Sequence, residues 1–210
     1  MSSTKVFSNF DFNIQNCRSQ LFEFRRLLEN GPFLSERDHI QPFFEQSPDL
    51  SSFIGKYHPD IAKIDRLAFR LNLFGDFCCD IAIGDSTRHT YCFVEFEDAN
   101  SNSIFSVRGR STPEWSRRLE RGFSQIVDWF CKLDELKNTP DYENLFGSRM
   151  IDYIGLLIVG RSMNMEVREQ RRLKWRSTNT VVNSKRVICL TFDQLYNDLA
   201  DRLTYFSGGE

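Results

Sequence analysis

Hydrophobic residues recur along the chain at two spacings, one typical of helices and the other typical of strands. Apolar side chains three or four residues apart predict a helix over residues 14–29, ended by Asn30-Gly31-Pro32. Residues 66–74 alternate between apolar and polar positions, as a half-buried strand does. Residues 77–83 and 91–97 are apolar and aromatic, and the polar residues between them predict a hairpin.

The second half of the chain alternates between helical and strand patterns. It predicts a long amphipathic helix over 114–137, a loop over 138–149 and a buried strand over 151–159. A charged helix over 163–176, a strand over 186–192 and a final helix over 193–205 follow. Strands interleaved with helices in this way predict an α/β fold with a mixed central sheet flanked by helices.

A further helix is predicted to begin at Ser35, which is a favourable N-cap residue followed by the acidic Glu36 and Asp38. The pattern runs through two phenylalanines and stops near Ser47-Pro48. Because Pro42 lies inside this span and has no N–H to donate, the helix is expected to be kinked or to start later.

Composition limits the class of protein. The chain has 210 residues, 27 Lys and Arg, and 29 Asp and Glu, for a net charge of -2, which excludes a uniformly basic nucleic-acid binder. Its 40% hydrophobic content argues against disorder. Neither a membrane-spanning run nor a signal-peptide core is visible, so we expect a cytoplasmic protein with no membrane partner. The six cysteines lack metal-binding spacing and are expected to be buried free thiols.

The charges are unevenly distributed along the chain. Residues 76–98 carry six acidic side chains against one arginine, whereas segments 108–121 and 161–176 together carry eleven basic against four acidic. Arginine-rich helix faces suit contacts with a phosphate backbone. A solvated helix face or an oligomer contact is an equally open reading. The candidate DNA-binding residues are Arg108, Arg110, Arg117, Arg118, Arg121, Arg171 and Arg172.

Three carboxylates fall on the two strands of the predicted hairpin. Glu95 and Glu97 are two residues apart and therefore share a sheet face, and pairing of the strands can bring Asp80 beside them. Carboxylates so placed repel one another, and a hard divalent cation such as Mg²⁺ or Mn²⁺ relieves that repulsion. The competing interpretation is a solvated polar sheet face. Strand-depleted residues at three positions of an aromatic hairpin favour a functional site.

These residues also carry a resemblance to a known family. An aspartate on one strand, followed by a strand ending in E-x-K, is the mark of the PD-(D/E)xK nucleases, and here the two strands contain Asp80-Ile81-Ala82-Ile83 and Phe93-Val94-Glu95-Phe96-Glu97. With the segments 35–50, 124–129 and 155–161 in the same order, residues 33–205 resemble the Shedu nuclease domain of prokaryotic anti-phage defence. The resemblance divides the chain into an N-terminal helical arm, 1–32, and a Shedu-like domain, 33–210.

The resemblance implies a restriction-endonuclease-like core that cleaves DNA with Mg²⁺ or Mn²⁺, in a homo-oligomer. Glu36, Asp80, Glu95 and Glu97 would bind metal, and Asp80, Glu95, Glu97 and Gln125 would form the catalytic set. The family has lysine where this chain has Glu97, and Arg117, Arg118 and Arg121 are the nearest basic substitutes. That departure leaves two alternatives open: a nuclease-fold module that binds nucleic acid or assembles without catalysis, and a protein-interaction domain.

Overall fold

The computed structural model describes residues 6–31, 33–106, 112–163 and 165–207. The elements of the first half are β1 (Ser8–Asn9), α1 (Ile14–Glu29), β2 (Phe33–Leu34), a π-helical turn (Glu36–Ile40), α2 (Gln41–Glu45), α3 (Pro48–Phe53), a 3-10 turn (Ile54–Tyr57), β3 (Arg66–Leu73), β4 (Phe77–Asp85) and β5 (Thr90–Phe96). Those of the second half are β6 (Ala99–Asn100), a 3-10 turn (Ser101–Ser103), β7 (Phe105–Ser106), β8 (Glu114–Trp115), α4 (Arg117–Leu136), α5 (Pro140–Phe146), β9 (Asp152–Ile158), α6 (Val167–Asn179), β10 (Val181–Val182), β11 (Lys185–Leu190) and α7 (Phe192–Ser207).

A mixed sheet forms the centre of the molecule, in the strand order β1-β3-β4-β5-β9-β11-β10. Strands β3, β4 and β5 are antiparallel neighbours, whereas β9 runs parallel to both β5 and β11. Helices cover both faces of this sheet, and each face packs into its own hydrophobic core. The predicted α/β class, with a mixed central sheet flanked by helices, is confirmed.

Two hydrophobic cores lie on opposite faces of the sheet. One contains side chains of α1, α2, α3 and α7, including the fully buried Phe24, Phe44 and Phe53. The other contains side chains of α4, α5 and α6, including Trp129 and Phe146. Because both faces are covered, the central strands have nearly continuous apolar sequences instead of alternating apolar and polar residues.

Strands β3 and β4 change faces halfway along their length. Before Arg70, Leu67 and Phe69 pack into the core of α1 and α7, and after it Leu71 and Leu73 pack into the core of α4. Arg70 itself has a left-handed backbone, with φ 52°. Since a one-residue irregularity exchanges the faces of a strand, the expected regular alternation over 66–74 was wrong. Both halves of the strand are buried, on opposite sides of the sheet.

Some predicted element boundaries were also wrong. The expected loop 138–149 contains α5, and α3 begins where the chain was expected to leave its helix, at Pro48. In both helices a proline occupies the first turn, where its missing N–H costs nothing. The long helix begins at Arg117 rather than at 114, because Ser116 is its N-cap, and the charged helix spans 167–179 rather than 163–176.

Helix α1 contributes side chains to the same core as α3 and α7. Its buried residues are Cys17, Leu21, Phe24 and Leu28. The buried Arg161 donates to the carbonyl of Leu28 at 2.9 Å and pairs with Asp193 at the start of α7 at 2.8 Å. The division into an arm (1–32) and a domain (33–210) stays a prediction, and α1 is packed against the rest of the fold.

The six cysteines are free thiols. Four are buried, as expected, whereas Cys78 and Cys131 are exposed. No helix among the described residues is long and apolar enough to cross a membrane.

Gly122 lets α4 approach the sheet closely. A Cβ atom there would lie 2.6 Å from Leu157 Cδ1 and 3.2 Å from Glu97 Cγ. We therefore expect Gly122→Ala to lower the free energy of unfolding by about 1–2 kcal/mol through overpacking. Urea denaturation measures this, with the exposed Ser124→Ala of the same helix as the control, expected to stabilise by a few tenths of a kcal/mol. Equal stabilisation by both substitutions would contradict the close packing.

Candidate active site

Four carboxylates from three separate segments of the sequence lie in one neighbourhood at the edge of the sheet where β5 ends. Glu36 opens the π-helical turn, Asp80 lies on β4, Glu95 on β5, and Glu97 directly follows β5. Glu95 is only 6% exposed and Glu97 only 2%. Asp80, Glu95 and Glu97 influence one another's pKa, and their action as one site stays a prediction.

Asp80 lies where β4 separates from β5. Regular pairing of these strands stops at Ile81 and Val94. Beyond that point the Asp80 carboxylate accepts a hydrogen bond from the N–H of Phe96, at 2.8 Å. The carboxylate thus takes the place of a backbone carbonyl, and the strands part next to it.

The π-helical turn positions Glu36 against Asp80. Its wider spiral stacks residues five apart, and the N–H of Gln41 donates to the carbonyl of Glu36. The Gln41 amide then donates to both carboxylates, to Glu36 Oε1 at 2.9 Å and to Asp80 Oδ1 at 2.8 Å. The irregular turn directly precedes Pro42, in line with the expected kink, and the Ser35 side chain caps it as predicted.

Arg118, near the start of α4, holds the other side of the cluster. Its guanidinium donates to Glu97 Oε2 at 3.2 Å and pairs with Asp98 Oδ2 at 2.9 Å. The second oxygen of Asp98 accepts the N–H of Glu36 at 2.8 Å. A continuous hydrogen-bonded network therefore joins Glu97 to Asp80 through Arg118, Asp98, Glu36 and Gln41.

Burial and mutual repulsion keep these carboxyl groups protonated to unusually high pH. Burial and the charge of Glu36, against the hydrogen bond from the N–H of Phe96, raise the pKa of Asp80 to about 7. Burial and Glu36 raise the pKa of Glu97 to about 7, against the hydrogen bond from Arg118. Burial, then Asp80 and Glu36, raise the pKa of Glu95 well above its usual range. Burial and Asp98 raise the pKa of Glu36.

Gln125 lies two helical turns after Arg118 on α4, on the helix face that Gly122 turns toward Glu97. Its Oε1 atom is buried and accepts no hydrogen bond from the described residues. Buried acceptors are usually satisfied, so this oxygen is open to a water or a bound group.

The donor set fits a hard divalent cation by its chemistry. All four residues offer oxygen, the ligand that Mg²⁺ and Mn²⁺ prefer. Burial first, and neighbouring carboxylates second, raise the pKa of each of them, and a cation would relieve both effects. Across the described ranges, however, no three His, Cys, Asp or Glu side chains are gathered closely enough to hold a metal ion. Hydrogen bonds from Gln41 and Arg118 hold three of the carboxylates, and a cation would have to compete with them.

The predicted DNA-binding arginines fall into three groups. Arg117, Arg121 and Arg171 are exposed on their helices, and the side chain of Arg118 is 44% exposed. Arg108 and Arg110 lie outside the described residues. Arg172 is half-buried beside the stacked rings of Phe105 and Trp115, with its guanidinium 4.9 and 4.8 Å from their centroids, and it donates to the Pro113 carbonyl. Its guanidinium is therefore engaged within the fold.

Three residues of this site were missed by sequence reasoning. Gln41 was hidden because a π-helical turn, not an α-helix, aligns it with Glu36. Asp98 lies just beyond the strand and was counted among the acidic side chains of 76–98 without being given a role in the site. On β3, Phe69 pairs with Ile81 and Leu71 pairs with Cys79 of β4. Arg70, between them, therefore lies opposite Asp80. The one available signal for Arg70 was a charged residue within an otherwise apolar strand.

A comparison with protein families identifies the group to which the chain is related. Residues 34–196 match the family model described as "Shedu protein SduA, C-terminal". No curated protein matches the chain. The match spans the π-helical turn, all four carboxylates, Arg118 and Gln125. The chain therefore belongs to the Shedu protein family, and its residues 34–196 correspond to the family's C-terminal model.

Proposed function

We propose that this protein is a metal-dependent DNA endonuclease of anti-phage defence, with a restriction-endonuclease-like core. The observation that carries the proposal is the buried acidic neighbourhood where β4 and β5 part, in which Gln41 joins Glu36 to Asp80 and burial with the charges of Asp80, Glu36 and Glu97 raises the pKa of Glu95. Family membership supports the defence role. The reaction adds water across a phosphodiester, breaking one P–O bond and leaving a phosphomonoester and a free hydroxyl.

The four carboxylates would hold one or two Mg²⁺ or Mn²⁺ ions. A bound ion of this kind lowers the pKa of water and neutralises charge on the phosphate oxygens. The protein's own residues would do the rest. Asp80 and Glu95 would be fixed by the sheet, Gln41 would orient Glu36 toward Asp80, and the free Oε1 of Gln125 would accept a hydrogen bond from the attacking water.

Arg118 would supply positive charge where the family has lysine. It contacts Glu97 directly, and its charge and that of Arg121 lower the pKa of Glu97. The positive charge beside Glu97 would thus come from α4 rather than from β5. DNA would approach over the exposed Arg117, Arg121 and Arg171, and assembly into a homo-oligomer would extend this surface.

Cleavage of DNA in the presence and absence of metal tests the proposal. We expect supercoiled and linear DNA to be cut with Mg²⁺ or Mn²⁺ and to stay intact with a chelator. Both metals should also raise the melting temperature, because they bind only the folded protein.

A second candidate is a nuclease-fold module that binds nucleic acid without cutting it. The hydrogen bonds that tie the carboxylates to Gln41 and Arg118 favour it. Salt-dependent DNA binding without cleavage in any metal would support this alternative. Absence of both DNA binding and a metal-induced rise in melting temperature would instead indicate a protein-interaction domain.

A further inference from the structure

Beside the carboxylate cluster lies a polar cavity of about 440 Å³, within the range of ligand pockets. Its lining residues are Glu36, Arg37, Gln41, Pro42, Glu45 and Arg70. A smaller adjoining space shares Gln41, Glu45 and Arg70 with it and is also lined by Asp80. A group held in the larger cavity would therefore lie within one side chain of Asp80.

Arg70 is placed in this cavity by the irregularity that switches β3 between the two cores. Its positive φ, uncommon for a residue other than glycine, is stored strain of the kind that clusters at functional sites. The residue faces Asp80 across the β3–β4 pair, at the point where β4 leaves β5. A regular strand would have turned this side chain toward one of the packed faces.

The Arg70 side chain is exposed and makes no hydrogen bond or ion pair with the part of the chain that the structure describes. Glu36 and Glu45 line the same cavity, yet neither pairs with it. Arg118, by contrast, is already engaged by Glu97 and Asp98. Arg70 is therefore the guanidinium next to Asp80 that is available to an incoming anion, and its planar fork suits phosphate oxygens.

We propose that the cavity takes a phosphodiester of the nucleic-acid strand and that Arg70 contacts its phosphate oxygens beside Asp80. This proposal rests on the nuclease function proposed above and deepens it. It assigns the positive charge at the scissile phosphate to β3, while Arg118 neutralises Glu97. Arg70 then stabilises the negative charge that develops on the phosphate oxygens as water attacks.

The test uses Arg70→Asn, which removes the charge and tolerates the left-handed backbone, and Arg70→Lys, which keeps the charge. Arg149→Gln is the control, because Arg149 is exposed and pairs with Glu143. It lies just before the start of β9, at the edge of the sheet opposite the carboxylate cluster. Two quantities are measured for each variant. One is the single-turnover rate of DNA cleavage with Mg²⁺, and the other is the salt dependence of DNA binding with a chelator present to remove the metal.

Arg70→Asn is expected to lower the cleavage rate about 100-fold and to reduce the slope of log affinity against log salt by about one. Arg70→Lys should retain the slope and part of the rate, and Arg149→Gln should match wild type. Unchanged rate and slope in Arg70→Asn overturn the Arg70 proposal, even if the protein is a nuclease. A reduced slope in a protein that cuts nothing supports the Arg70 contact and overturns the nuclease function instead.

Discussion

Asp80→Asn is expected to abolish DNA cleavage and at the same time to make the protein more stable at pH 8. Loss of a metal-binding carboxylate removes several kcal/mol of transition-state stabilisation, so the rate should fall about 100- to 1,000-fold. The gain in stability follows from the raised pKa of Asp80, about 7. Folding is penalised at every pH above the unfolded pKa, and the penalty is complete above pH 7, where the folded chain must carry a buried charge at Asp80.

The sign of this effect fixes its pH window. Between pH 4 and pH 7 the folded state binds more protons at Asp80 than the unfolded state does, so stability falls as pH rises through that range. Asparagine does not titrate and escapes the penalty. Because it also loses one of the two hydrogen bonds that Asp80 accepts, we expect a net gain of about 1–2 kcal/mol at pH 8 and little or none at pH 4.

Urea denaturation at the two pH values measures the change, with Asp201→Asn as the control at an exposed position of α7. Metal should raise the melting temperature of wild type more than that of Asp80→Asn. An Asp80→Asn protein that is no more stable than wild type at pH 8 would contradict the repulsion between the four carboxylates. One that cuts DNA at the wild-type rate would contradict the catalytic role.

Glu97→Lys would create the E-x-K pattern of the PD-(D/E)xK nucleases, and we expect it to destabilise the protein rather than to activate it. The side chain of Glu97 is 3% exposed and paired with Arg118, so lysine would bring two positive charges together in a buried position. Removing one partner of a buried pair costs about 3–5 kcal/mol. Arg118 is partly exposed, so we expect about 2–3 kcal/mol here.

The double variant Glu97→Lys with Arg118→Glu restores opposite charges and should recover at least about 1 kcal/mol of this loss. Glu120→Lys is the matched control, because Glu120 lies on the same helix and pairs with Arg176 near the surface. It should cost no more than about 1 kcal/mol. If Glu97→Lys is as stable as wild type and cuts DNA faster, α4 does not supply the cation at this position.

The sequence predicted the parts of this fold that follow from regular periodicity. The apolar runs of β5 and β9 and the wide apolar face of α4 gave the mixed sheet and the cover over it. The i and i+2 spacing of Glu95 and Glu97, with Asp80 on the neighbouring strand, placed three carboxylates together. Arg118 was also foreseen as a basic neighbour of Glu97, since the helix that carries it follows the strands.

Irregular backbone explains most of what was missed. A π-helical turn, not an α-helical one, aligns Gln41 with Glu36, and a left-handed residue turns Arg70 out of the strand pattern. Neither deviation changes the apolar periodicity on which the prediction relied. The helices α3 and α5 were overlooked for a different reason. Ser47-Pro48 was interpreted as the end of a helix, and residues 138–149, which include Thr139-Pro140, were interpreted as a loop. Serine or threonine followed by proline is equally a helix start.

Titration of the protein with Mn²⁺, followed by the electron paramagnetic resonance signal of the free ion, tests most directly whether the four carboxylates form one metal site. At pH 7.5 wild type is expected to bind one or two ions, and Asp80→Asn and Glu95→Gln are each expected to weaken binding at least tenfold. Asp201→Asn should bind as wild type does. Equal Mn²⁺ binding by wild type, Asp80→Asn and Glu95→Gln, or no binding by any of them, would contradict the account.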